Sequence, residues 1–154
     1  MHKLTRAALG VCLGLSLSGL TVAAEPPATG LGEAWPNAVD VSTSPHWHVY
    51  VFVLNGIQYI QVNDLNGHVI GAVGTAGGQF ITLPVGKSSQ YVSTPQQRAT
   101  RISSVGAATP TTVYRDSSTV ITVTPQGNGM TNLNASPAGT CTDPYSCGSF
   151  NGQR

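Results

Sequence analysis

His46, Trp47 and His48 form the one metal-like motif of the chain. On a strand, two histidines separated by one residue lie on the same side, about 6.6 Å apart at the backbone, a spacing used by zinc and copper sites. His68 shares their face once the turns described below are folded. A strand then lies between it and the other two, at a backbone separation of about 9.6 Å. Asp64 faces the opposite way in that register, so no carboxylate completes a ligand set. Metal binding through His46, His48 and His68 is therefore an alternative reading, and no cofactor is expected.

Other chemistry is thinly supplied. No Gly-x-Ser-x-Gly nucleophile pattern occurs. Glu25, Glu33, Asp116 and Asp143 are scattered, and acid–base work needs carboxylates held together. Arg98 and Arg101, three apart, could with Arg115 hold a small anion, although a solvated surface suits them better. Gly71, Gly74, Gly77 and Gly78 precede no helix and no helpful lysine, so they read as a bulge and a turn rather than a phosphate cradle. Charged residues make up 8 % of the chain, against about 25 % in ordinary soluble domains. Threonine, serine, asparagine, glutamine and glycine carry the polarity instead. This balance suits an exported β-protein without catalytic activity.

Residues 1–24 have the layout of a signal peptide. Lys3 and Arg6 precede an apolar run from Ala7 to Leu20, followed by Val22-Ala23-Ala24 as a cleavage pattern. The run is shorter than the roughly 20 residues a membrane span needs, so the mature chain is expected to start at Glu25 without a transmembrane segment. It would then carry five basic and six acidic residues, a balance that points away from nucleic acid. Export to the periplasm or the exterior makes a Cys141–Cys147 disulfide the default. Its small ring would contribute only about 2.4 kcal/mol by chain entropy, enough to pin a local loop.

Two Asn-Gly steps organise the elements that must position these residues. The stretch from 46 to 74 reads HWHVYVFVL-NG-IQYIQVNDL-NG-HVIGAVG. Asn-Gly between apolar runs is a strong hairpin signal, since both turn residues take positive φ. Two-residue turns pair Leu54 with Ile57, Phe52 with Tyr59, Tyr50 with Gln61, His48 with Asn63, and then Asn63 with Ile70. A turn at Gly77-Gly78 adds a strand from Gln79 to Leu83. The expected fold is all-β, with a small antiparallel meander (46–84) packed against a second hairpin unit (98–124) as a sandwich or partly open barrel. In that unit, Thr111–Tyr114 pairs with Thr119–Thr124. Residues 25–45 read as an extended lead-in in which Val39-Asp40-Val41 could add an edge strand. Thr94-Pro95-Gln96-Gln97 resembles a capping box with no apolar stripe behind it. Residues 125–154 have few apolar side chains and read as a mobile tail.

The register sorts the meander into two faces. Trp47, Val49, Val51, Val53, Ile60, Val62, Val69 and Val73 share one, which must be covered and forms the core side. The other holds Tyr50, Phe52, Tyr59, Gln61 and Asn63, a mixture of aromatic and polar groups typical of contact surfaces. The function expected from the sequence is a non-catalytic exported binding module using this face against a protein, glycan or small ligand. A structural envelope component is a further alternative.

Overall fold

The computed structural model describes residues 27–100 and 106–139. The leader, Cys141 and Cys147 lie outside the described residues. The fold is all-β, two four-stranded sheets facing one another. The first sheet is the meander β1 (Trp47–Leu54), β2 (Ile57–Asp64), β3 (Val69–Ala76) and β4 (Gln79–Leu83), in chain order. The second contains β5 (Val92–Ser93), β6 (Thr111–Arg115), β7 (Thr119–Pro125) and β8 (Thr131–Pro137), in the order β5-β8-β7-β6. Only β5–β8 is parallel. No helix among the described residues is long and apolar enough to cross a membrane.

The first Asn-Gly turn forms as expected. Asn55 and Gly56 have φ of 52° and 78°, and Leu54 pairs with Ile57. The second turn differs. Only Gly67 takes a positive φ there, 80°, and its N–H donates to the Asp64 carbonyl while the Asp64 N–H donates to that of His68. Asp64 Oδ1 accepts the N–H groups of Asn66 and His68. These bonds favour a three-residue turn ending in a left-handed glycine. The extra residue appears as a bulge, so Asn63 faces Val69 rather than Ile70, while Val62–Gly71 and later pairs keep the expected register.

The valine side is the core. Val49, Ile60, Val62, Val73 and Phe80 of the first sheet meet Val92, Val113, Tyr114, Ile121, Val123, Leu133 and Ala135 of the second. Gly71 lies where the sheets come close, and an added Cβ there would come within 2.7 Å of Val92 Cγ2. Gln58, a polar residue on this side, donates to the Tyr114 hydroxyl and Asp116 across the sandwich.

Two expectations need correction. The second unit is larger than the 98–124 hairpin, since β8 pairs with β7 and β5 with β8, extending the sheet on one side. Residues 131–137, placed in a mobile tail, form a strand between β5 and β7 with Thr131, Leu133 and Ala135 buried. Composition averaged over thirty residues hides this alternation. A strand held between two neighbours needs few apolar residues, provided they alternate. At the capping box the Gln97 N–H does bond Thr94 Oγ1, but residues 98–100 are not helical, in keeping with the missing apolar stripe.

Candidate functional site

The aromatic and polar face is assembled as the register requires, yet it is not open. Tyr50 and Phe52 are buried, Gln61 and Asn63 are 0 % exposed, and Tyr59 is half-buried. The lead-in folds across them. Gln61 accepts the Gly32 N–H through Oε1 and donates to the Glu33 carbonyl, at 2.6 and 2.8 Å. Asn63 donates to the Ala34 carbonyl at 2.8 Å, and Gln61 donates to Asn63 Oδ1. The two amides therefore bind a main chain, which is why polar groups tolerate burial here. The lead-in is not simply extended: Gly30 and Gly32 turn it at positive φ, and Thr29 bridges back to Asn37. Tyr59 sits nearer the open end, beside Gly74, whose missing side chain admits Ile81 and the Tyr59 ring.

The histidines are drawn apart. His48 Nδ1 is 2.7 Å from Asp40 Oδ2, and Asp40 also accepts the N–H groups of Val49 and Ser42. Burial alone would raise the Asp40 carboxyl, but those contacts prevail and hold it below the usual range. Nδ1 is thus the ring nitrogen of His48 that faces the carboxylate. Tyr50 stacks on His48 at 6.2 Å, and its phenol is pushed up by burial and then by the Asp40 charge. His68 instead contacts Asp64, which also accepts a 2.8 Å bond from Lys87 Nζ. The expectation that Asp64 faces away from His68 fails because the bulged turn brings the two together. Burial would raise the Asp64 carboxyl, but Lys87, the His68 and Asn66 N–H groups and the His68 ring hold it at about 2. His46 is exposed. Among the described residues, no three histidine, cysteine, aspartate or glutamate side chains are grouped to hold a metal ion.

Trp35 marks the outer limit of the lead-in. It is 59 % exposed, meets His48 edge-on at 5.4 Å and lies against Gly67, where an added Cβ would come within 2.8 Å of the indole. The second Asn-Gly turn thus supplies both a tight reversal and a flat seat for the ring.

The open surface lies along β1. Asp40 bridges to Tyr50, and the Val41 N–H donates to the Val49 carbonyl, so the lead-in runs briefly antiparallel to this strand. It then leaves, since Pro36 has no N–H to continue a ladder and the Asn37 carbonyl accepts from Thr29. An apolar groove of about 620 Å³ opens in the space it vacates, lined mainly by Pro27, Pro36, Val39, Val41, Val51 and Val53. Val39 and Val53 are 64 % and 68 % exposed. Val51 and Val53, expected in the core from strand alternation, line this groove with Val39. The available signal was Pro36 beside Val39-Asp40-Val41, which limits how far that segment can follow an edge. No protein-family model, curated protein or solved structure matches the chain.

Proposed function

We propose that this protein is an exported, non-catalytic β-domain serving as an interaction module, and that it makes contact through the groove beside β1. The observation that carries this is the groove itself, an open apolar surface flanked by well-exposed Val39 and Val53. Exposed apolar side chains gathered into one groove, rather than scattered singly, favour cover by another molecule. The aromatic and polar face suits this role less well, because the lead-in occupies it. Export rests on the leader, and lack of catalysis on the shortage of reactive groups.

The test is fluorescence of the apolar dye 8-anilinonaphthalene-1-sulfonate with the native chain and with Val39→Lys plus Val53→Lys. Both side chains are mostly in solvent, so the melting temperature should stay within about 2 °C. Dye fluorescence should fall at least fivefold. Equal fluorescence with an unchanged melt would remove the groove as the contact surface.

A further inference from the structure

The main chain beside the groove narrows the class of partner. Val49 directs both its N–H and its carbonyl away from β2, toward Asp40 Oδ1 and the Val41 N–H. Main-chain groups alternate along a strand, so Val51 and Val53 face outward as well. The Asp40–Tyr50 bridge brings Val39 opposite Val51 and the lead-in then departs. Among the described residues, none donates to or accepts from the outward main chain of Val53.

The other sheet edges are treated differently. On β4, Phe80 N–H donates to Gln96 Oε1 and Thr82 Oγ1 to Gln97 Oε1. On β6, the Val113 carbonyl accepts the Thr43 N–H and the Thr112 carbonyl accepts Thr43 Oγ1. β5 is only two residues long. Covering and shortening are the usual protections against unwanted pairing. The end of β1 has neither, and Val51-Phe52-Val53-Leu54 carries no charge or proline.

We infer that this edge accepts a strand: an extended, uncharged apolar segment of a partner protein, about four residues long, hydrogen-bonded to Val53 and continuing the pairing that Val39–Val41 begins. The inference rests on the proposed role of the groove and adds the class of ligand. Three features select that ligand. Unpaired main-chain groups require a peptide backbone. The apolar lining disfavours charged side chains. The departing lead-in forms the opposite wall, so the opening suits one strand better than the edge of a whole second copy.

The probe is the blocked peptide acetyl-Thr-Val-Thr-Val-Thr-Val-amide, titrated into the full chain by calorimetry and by amide NMR. Saturable binding is expected, with slowed exchange at the Val53 N–H. N-methylating the central residues should weaken it at least tenfold by removing backbone donors. Val53→Pro, which removes the protein's donor, should do the same. Val39→Lys, at an exposed position, gives a second reading should the proline disturb the strand. Equal binding of the N-methylated peptide would overturn strand addition while leaving the groove as a contact surface. No peptide binding, with dye binding still sensitive to Val39→Lys plus Val53→Lys, would do likewise. Loss of that dye response as well would remove both readings. Concentration-dependent dimerisation abolished by Val53→Pro would make a second copy the occupant and overturn the partner segment.

Discussion

Gln61 and Asn63 show how much can depend on two side chains. They are fully buried, and their bonds to Gly32, Glu33 and Ala34 hold the lead-in over Tyr50 and Phe52. Truncating Gln61 to alanine leaves the Gly32 N–H without this partner and opens a gap above β2. A loss of about 1–3 kcal/mol is expected in urea unfolding. Proteolysis within residues 27–38 should accelerate, and unchanged cleavage would show that other contacts hold the segment. The carboxylates make a separate prediction. Burial would raise Asp116, but the Ser118 N–H, the Tyr114 hydroxyl, Ser118 Oγ and the Thr119 N–H hold it at about 2, as Asp64 is held. Their folded values lie below the ordinary 3.8, so their contribution is present above about pH 4 and disappears as pH falls through about 2. It is worth at most about 2 kcal/mol each, less after solvent screening. Melting temperature should drop across that window, and Asp116→Asn should flatten the drop while lowering stability near neutral pH. Tyr114 behaves oppositely. Burial, then its hydrogen bond to Asp116 and that residue's charge, push it to about 12 despite Gln58. Its share is present below about pH 10 and vanishes as pH rises through about 12.

At the level of elements, β8 carries the clearest prediction. Leu133 is buried in the core and pairs with Val92 on one side and Val123 on the other. Leu133→Ala should cost about 2–5 kcal/mol in urea unfolding. A change within 0.5 kcal/mol would mean that residues 131–137 are the loose segment their composition suggests. The meander was legible because its information is local. Asn55-Gly56 sets a turn, the turn sets a register, and alternation places Val49, Ile60, Val62 and Val73 inside. The second turn was half legible: Gly67 was recognisable, but Asp64 competing for backbone N–H groups changed its length and moved His68. Cover for Tyr50, Phe52, Gln61 and Asn63 was not legible. It comes from residues almost thirty positions upstream, joined through main-chain groups that leave no mark in side-chain identity. Val53, expected on the core side, and Val39, expected on an edge strand, are exposed for a related reason: alternation says which side a residue faces and not where a neighbouring strand stops.

Across the whole molecule, the two sheets are assembled from contacts of very different span. β1 to β4 close through successive hairpins, whereas β5 must find β8, with Ser93 and Leu133 separated by 40 positions along the chain. Bringing distant segments together costs loop entropy before any bond returns it, so long-range pairings tend to come late. The parallel β5–β8 contact is therefore expected to form late, after a nucleus made from the hairpins. Val92→Ala, on β5 and buried against Leu133, should reveal this ordering in stopped-flow traces, with faster unfolding and an almost unaltered refolding rate. Slowed refolding would instead place the distant pair in the nucleus. While that step is pending, β8 has no neighbour on its β5 side, and a newly made chain is vulnerable to sticking to its siblings during that interval.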